Sequence, residues 1–305
     1  MTIANSTTVD TALEEQEETV ETMDTSHNGI VITVTSAIGG AGKSTVTSLL
    51  GTQLAKSSEK AFQEGKMERP LKVCLVDLDI FDSQLGFLLG ATKPTSLNIA
   101  LSDEAFGPEI IRNSLIYSSR MGLHALLAPL RYDPKVTELD ADFYRMVINT
   151  LRSMFDVIIL DTSVQHYSEL IKDVALPDSD AILLIATLNI GSINSTKRWV
   201  HTAEAPLEKQ GYGIDMKKVG LVINQAVKNL HVDGEVLQEY LPKVPKLVAI
   251  PLDTVAVQGA GNSHHLESLI EDHPSIGNAY FSLAQKITAK LDLGVTVNLS
   301  PIVNK

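Results

Sequence analysis

The chain has 305 residues, of which 44% are hydrophobic and 20% are charged, and its formal net charge is −12 at pH 7. This composition excludes a wholly disordered or collagen-like chain, and no apolar run reaches the roughly 18–20 residues that span a bilayer. The negative charge disfavours nucleic-acid binding driven by electrostatic attraction, and the single cysteine, Cys74, is typical of a protein of the reducing cytosol.

The chain begins with an acidic, Thr- and Ser-rich stretch. Residues 1–28 hold seven acidic side chains and no Lys or Arg. Such a segment has too few large apolar residues to offset the entropy lost on ordering, so it is predicted to be a disordered tail, solvating the protein or binding a partner. One domain is predicted over residues 29–294, and a C-terminal tail over residues 295–305.

Seven short apolar runs follow in chain order, separated by longer segments of helical character. The predicted strands cover residues 30–35, 72–79, 122–129, 155–162, 180–187, 218–225 and 246–253. Runs of Val, Ile and Leu without alternation are typical of parallel strands that are covered on both faces. We therefore predict an α/β fold with a doubly wound, mostly parallel sheet flanked by helices, including helices from Lys43 to about Lys60 and over about 276–291.

The turn between the first strand and its helix, residues 36–45, reads SAIGGAGKST. Glycines let the backbone wrap closely around an anion at the positive end of a helix. In such a loop a lysine, here Lys43, reaches the terminal phosphates, and a hydroxyl, here of Ser44, reaches Mg²⁺. A glycine-rich turn with a chance Lys-Ser pair is the alternative, which the position directly after a buried strand disfavours. The candidate phosphate-binding residues are Gly39, Gly40, Ala41, Gly42, Lys43, Ser44 and Thr45.

Four further stretches carry polar residues near the ends of predicted strands. VCLVDLDIFDSQLGFLLG (73–90) ends its strand with Asp77 and Asp79, and FDVIILDT ends with Asp161 and Thr162. A strand-end cap explains one buried carboxylate, but uncompensated carboxylates are costly to bury, so two beside a phosphate loop favour a site. The other two stretches are LVINQ, which contains Asn224, and IPLDTVAVQGAGN (250–262), which contains Pro251 and Leu252.

These five stretches, in this order over about residues 30–290, resemble the deviant Walker-A ATPases of the MinD/ParA family. The family loop reads K-G-G-x-G-K-[ST]-[ST], and residues 39–45 match it, whereas Ile38 replaces its leading lysine. The resemblance implies a P-loop ATPase with ATP and Mg²⁺ as cofactors. It implies catalytic roles for Lys43, Asp77 and Asp79, with Asp79 positioning the attacking water, and a magnesium site at Ser44, Asp77 and Asp161. It implies that Asn224 reads the adenine, which Pro251 and Leu252 flank.

Within this family the second motif is most similar to the CpaE/TadZ branch, which positions Tad pilus machinery. The resemblance implies a cytoplasmic homodimer bridged by ATP, without an integral membrane segment, which a protein partner of a pilus, secretion or partition system recruits to the cell pole or membrane. Hydrolysis is expected to be slow, because Ile38 lacks the signature charge. A DNA-partition ATPase and a carboxysome-like cargo-positioning relative remain as alternatives. For partition, residues 197–199 and 217–218 would form a DNA-binding patch; a solvated helix face is the competing interpretation.

Overall fold

The computed structural model describes residues 28–91, 107–128, 140–227 and 234–302. The predicted acidic tail lies outside these residues except for Asn28. The domain boundaries predicted from the sequence stay predictions.

Within the described residues, eight strands form one sheet. They are β1 Ile30–Ser36, β2 Val73–Asp77, β3 Ile116–Ser118, β4 Leu123–Leu126, β5 Val157–Asp161, β6 Ala181–Ala186, β7 Val219–Ala226 and β8 Lys246–Pro251. The strand order is β3-β4-β2-β5-β1-β6-β7-β8, and every neighbouring pair is parallel except β3 and β4. The predicted fold class, a mostly parallel doubly wound sheet, is confirmed.

Helices cover both faces of this sheet. They are α1 Lys43–Gln63, α2 Leu85–Leu88, α3 Pro108–Asn113, α4 Ala141–Arg152, α5 Ile190–Glu204, α6 Gly234–Tyr240, α7 Thr254–Asn262, α8 Leu269–Asp272 and α9 Pro274–Lys290. A π-helical turn, Leu170–Ala175, follows β5. The two helices predicted at Lys43 and near residue 276 are confirmed as α1 and α9.

All seven predicted strands are present. Five of them, β2, β4, β5, β6 and β8, are two to four residues shorter than predicted. Strand β1 is one residue longer than predicted, and β7 has the predicted length but is shifted by one residue. The sequence analysis missed β3, which pairs antiparallel with β4 at the edge of the sheet. Strand β3 has only three residues, Ile-Tyr-Ser, and this is too short to form a recognisable apolar run in the sequence.

The core lies on the two faces of the sheet. On one face α1 and α9 pack against the strands, with Leu49, Leu50, Tyr280 and Leu283 at most 1% exposed. On the other face, α5 covers β6 and β7, and α4 covers β1, β2 and β5. Helix α4 begins at a capping residue, because the Asp140 carboxylate accepts a hydrogen bond from the Phe143 N–H at 2.9 Å.

The described part of the predicted C-terminal tail packs against α1. Leu299 is buried, and the Ser300 N–H donates to the Ser57 carbonyl at 3.2 Å. Lys66 Nζ donates to the Ser300 hydroxyl at 3.0 Å, and Lys60 Nζ donates to the Pro301 carbonyl at 2.8 Å. Residues 299–301 therefore lie along the outer side of α1.

The parallel strands place the predicted site residues at one edge of the sheet. The loops after β1, β2, β5, β7 and β8 all leave its carboxyl edge. In open α/β sheets, ligands bind in the crevice outside this edge, where the connections diverge to opposite faces. The predicted phosphate loop, carboxylates and base-binding residues share this edge.

Candidate functional site

The loop between β1 and α1 presents its backbone to solvent at the start of a helix. Gly40 and Gly42 have left-handed φ angles of 72° and 88°, and Gly42 is the N-cap residue that directly precedes α1. The side chains of Lys43, Ser44 and Thr45 follow in the first turn and are half-buried. The first N–H groups of a helix have no intrahelical acceptor, so the loop can bind an anion.

The side chain of Asn224, on the neighbouring strand β7, lies directly against Gly42. A Cβ atom at this position would lie 2.3 Å from Nδ2 of Asn224, which is closer than atoms can pack. The same Nδ2 donates a hydrogen bond to the Ala41 carbonyl at 2.8 Å. Asn224 therefore contacts the phosphate loop directly and is only 8% exposed.

Two carboxylates lie side by side on adjacent strands. Asp77 of β2 and Asp161 of β5 are register partners, and they are 0% and 1% exposed. Burial raises the pKa of the Asp77 carboxyl, and repulsion from Asp161 raises it further. Burial also raises the pKa of Asp161, although the hydroxyl of Ser44 and the charge of Lys43 lower it in part. A positive charge bound beside the two carboxylates would therefore stabilise their ionised forms.

Hydroxyl and backbone donors satisfy three of the four carboxylate oxygens. Asp77 accepts from the Ser83 hydroxyl at 2.5 Å and from the Asp79 N–H at 3.0 Å. Asp161 Oδ1 accepts from the Thr47 hydroxyl at 3.2 Å. Asp161 Oδ2 is buried and has no hydrogen-bond partner among the residues that the structure describes. An unsatisfied buried carboxylate oxygen is costly, so this atom is suited to a bound cation or its water.

The residues at this edge fit Mg²⁺ bound together with a phosphate chain. Within the described part of the chain, no three His, Cys, Asp or Glu side chains converge as a metal-binding group. Mg²⁺ commonly keeps several waters and takes one or two carboxylates plus substrate phosphates. Ser44, Asp77 and Asp161 provide a hydroxyl and two carboxylates of this kind, with a free oxygen on Asp161.

Asp79 lies beyond the end of β2 in the loop that leads to α2. It is half-buried, and its Oδ1 accepts a hydrogen bond from the Asp82 N–H at 3.2 Å. It is close enough to Asp77 and Asp161 for its charge to raise the pKa of both carboxyls. Asp79 is thus the most exposed of the three carboxylates near the phosphate loop.

A cavity of about 270 Å³ adjoins the phosphate loop on the side of β7 and β8. Its lining includes Gly42 and Thr45 from the loop together with the predicted base-binding residues Asn224, Pro251 and Leu252. Helix α7 begins beside it, where the Asp253 carboxylate accepts from the Ala256 N–H at 2.9 Å. The structure therefore brings the predicted phosphate-binding and base-binding residues into one continuous site.

Three residues of the site were missed in the sequence analysis. Thr47 bonds to Asp161, Ser83 bonds to Asp77, and Gln225 Nε2 donates to the Gly40 carbonyl at 3.2 Å. Thr47 lies four residues, or about one helical turn, after Lys43, so both side chains lie on the same side of α1. This spacing could have identified Thr47 as a site residue from the sequence. Ser83 and Gln225 depend on loop and strand geometry that has no local pattern.

The basic residues considered for DNA binding do not form a patch that includes the tryptophan. Trp199 is 1% exposed and belongs to the core between α5 and the sheet. Lys197 is exposed, with Nζ 5.7 Å from the centre of the Tyr240 ring, and Lys218 Nζ donates to the Ser179 carbonyl at 2.9 Å. Among the described residues, no helix is both long enough and apolar enough to cross a membrane.

No family model matches the chain. It is 28% identical over 240 residues to the septum site-determining protein MinD of Helicobacter pylori, covering 78% of this chain and 80% of that protein. It is also 28% identical over 262 residues to an uncharacterised ATP-binding protein of Methanocaldococcus jannaschii, covering 85% of this chain and 88% of that protein.

Solved structures show the same fold. A ParA family ATPase from Chlorobium tepidum has a TM-score of 0.69 at 16% identity, covering 86% of this chain and 99% of its own. MinD from Pyrococcus horikoshii, complexed with Mg-ADP, has a TM-score of 0.63 at 20% identity, covering 85% of this chain and 96% of its own. The chain is therefore similar in sequence to MinD and to an ATP-binding protein, and it has the fold of the solved MinD and ParA family ATPases.

Proposed function

We propose that this chain binds Mg-ATP, forms a homodimer bridged by ATP, and hydrolyses the nucleotide slowly while it positions a cellular apparatus. The observation that carries the proposal is the meeting of three features at one edge of the sheet. These are the phosphate loop, the buried pair Asp77 and Asp161, and the cavity of about 270 Å³ beside Asn224. A protein of the same fold that was solved with Mg-ADP supports it.

In this proposal, the loop N–H groups and Lys43 bind the phosphates, and Ser44 contacts Mg²⁺. The ion would neutralise charge on the phosphates. Asp161 would hold it through the oxygen that has no partner in the described residues, with Asp77 beside it. Pro251 and Leu252 would flank the base in the cavity, which Asn224 also lines. Asp79, the most accessible of the carboxylates, would position the attacking water.

Slow hydrolysis follows from the residue at position 38. Ile38 is half-buried and packs against the main core, and it has neither a charge nor a donor. A cation that stabilises the developing charge in phosphoryl transfer is worth roughly 10³–10⁵ in rate. Without it we expect a turnover well below about one per minute, because electrostatic stabilisation of the transition state is reduced. ATP then serves mainly to hold the dimer together.

Exposed apolar side chains at the same edge support a dimer across it. Ile190, at the start of α5 after β6, is 71% exposed, and Val255, at the start of α7 after β8, is 85% exposed. Phe81 and Leu252, in the loops after β2 and β8, are 52% and 45% exposed. Exposed apolar residues grouped beside a binding site are typical of an interaction surface.

For the cellular role we propose a protein of the CpaE/TadZ type that recruits a pilus or secretion apparatus. The name of the Helicobacter relative, a septum site-determining protein, supports spatial positioning in general. The support for this branch is the similarity of residues 73–90, which contain the D-x-D sequence, to its second motif. Retention on DNA with ATP at two salt concentrations separates this role from DNA partition, since electrostatic DNA binding weakens steeply with salt. DNA binding with such a salt dependence would contradict the proposed role.

The slow dimer is tested by restoring the missing charge. ATP turnover and molecular mass by light scattering would be measured for the natural chain, Ile38→Lys and Ile38→Met, where methionine matches the length of the lysine stem without its ammonium. We expect an ATP-dependent dimer with slow turnover for the natural chain and Ile38→Met, and faster turnover for Ile38→Lys. Brisk hydrolysis by the natural chain, or a monomer with saturating ATP, would contradict the proposal.

A further inference from the structure

The end of β7 departs from regular strand geometry next to the phosphate loop. Ile223 pairs with Ala249 and Ala226 pairs with Pro251, so Asn224 and Gln225 together oppose one residue of β8. Gln225 also has a left-handed φ of 55°, which a side chain larger than that of glycine seldom adopts. These two features describe a β-bulge with one extra residue on β7.

The bulge changes where two consecutive side chains point. In a regular strand, successive side chains lie on opposite faces of the sheet, so only one of Asn224 and Gln225 could contact the phosphate loop. Here both do. Asn224 Nδ2 donates to the Ala41 carbonyl at 2.8 Å, and Gln225 Nε2 donates to the Gly40 carbonyl at 3.2 Å.

Two successive peptide groups of the loop are therefore held by two successive amides of β7. A peptide group is planar and trans, so its N–H points away from the side to which its C=O points. The Gly40 carbonyl shares a peptide plane with the Ala41 N–H, and the Ala41 carbonyl shares one with the Gly42 N–H. With both carbonyls bonded to β7, the N–H groups of Ala41 and Gly42 are directed away from it.

We propose that Gln225 is a positioning residue of the nucleotide site, which acts together with Asn224 to orient the Ala41 and Gly42 N–H groups toward the phosphates. This inference rests on the proposed function, because it assigns those N–H groups to a bound nucleotide. Gln225 is exposed and lies at the rim of the cavity, so its contribution comes through the loop backbone rather than through core packing. The left-handed φ of Gln225 is unfavourable for a residue other than glycine, and it allows both side-chain amides to contact the loop.

The test compares Gln225→Gly with a matched control, Gln210→Gly. Gln210 has a similar φ of 59° but lies in an exposed turn after α5, away from the site. Glycine adopts this conformation freely, so neither change should lower the thermal midpoint. ADP affinity by calorimetry should fall about two- to twelvefold for Gln225→Gly, the effect of one hydrogen bond, and should be unchanged for Gln210→Gly.

Two further measurements make the result specific. In the ADP complex of Gln225→Gly, hydrogen exchange of the Ala41 and Gly42 amides, followed by NMR, should be faster than in the natural chain. Gln225→Asn, which tolerates the left-handed conformation but carries a shorter amide, should lose ADP affinity in the same direction.

Equal ADP affinity in Gln225→Gly and the natural chain would overturn the inference. An equal loss in Gln210→Gly would overturn it as well, because the effect would then not depend on contact with the loop. Absence of ADP binding by the natural chain is a different outcome, which would contradict the proposed function itself.

Discussion

Replacement of Asp77 by asparagine should stabilise the nucleotide-free protein at pH 8. Asp77 and Asp161 are register partners on adjacent strands, fully buried, and no lysine or arginine forms a salt bridge with either among the described residues. Neighbouring strands lie about 4.8 Å apart. Two unit charges about 5 Å apart repel by roughly 3 kcal/mol at an effective dielectric constant of about 20.

The pH dependence has a definite sign. Burial and mutual repulsion raise the pKa of the Asp77 carboxyl in the folded protein above its ordinary value. The folded state then holds a proton that the unfolded state has lost, so stability falls as pH rises from about 4 through the raised pKa. Asparagine keeps the shape and removes the charge. It also perturbs the bonds from Ser83 and the Asp79 N–H, at a cost of about 1 kcal/mol.

We therefore expect the free energy of unfolding of Asp77→Asn to exceed that of the natural chain by about 1–3 kcal/mol at pH 8, and the gain to shrink near pH 4. Urea unfolding without nucleotide or Mg²⁺, followed by the fluorescence of the single, buried Trp199, measures it. Asp272→Asn, which removes an exposed carboxylate, should change stability by less than about 0.5 kcal/mol. An Asp77→Asn protein less stable than the natural chain at pH 8 would refute the reasoning.

Two predictions concern the contact between β7 and the phosphate loop. Because Nδ2 of Asn224 is bonded to the Ala41 carbonyl, its Oδ1 remains to accept from the amino group of adenine, which guanine replaces by a carbonyl. Asn224→Ala should therefore lower ATP affinity more than GTP affinity in competition titrations; equal losses would assign Asn224 a structural role alone. Gly42→Ala should abolish measurable ATP binding, because its Cβ would lie 2.3 Å from Asn224 at a φ of 88°, and unchanged binding would contradict this geometry.

The sequence was sufficient to predict the fold, and it gave local signals for the residues of the candidate site, whose roles stay predictions. Parallel buried strands have near-continuous runs of Val, Ile and Leu, and these runs located seven of the eight strands in the described part of the chain. The phosphate loop has a local signature, because glycines and Lys43 must follow one another at the start of α1. Loops at the carboxyl edge of a parallel sheet converge, and the structure places Asn224, Pro251 and Leu252 around one cavity with Gly42 and Thr45 of that loop.

The remaining features depend on contacts between distant parts of the chain. The bulge at Gln225 arises from the register of β7 against β8, which no local pattern specifies. Ser83 contacts Asp77 only through the course of the loop after β2. Trp199 stands next to Lys197 and Arg198 in the sequence, yet it points into the core because it lies on the inner stripe of α5 with Ile193.

The central claim, that Mg-ATP binds at this loop, is tested most directly by calorimetry on Lys43→Ala. Loss of a charge-assisted contact with the terminal phosphates should weaken Mg-ATP binding about ten- to a hundredfold. Lys56→Ala is the matched control, because Lys56 lies on the same helix but pairs with Glu271 at 2.9 Å, and it should bind like the natural chain. Tight Mg-ATP binding by the natural chain and Lys56→Ala, with weak binding by Lys43→Ala, is the predicted result; Lys43→Ala binding as tightly as the natural chain would contradict it.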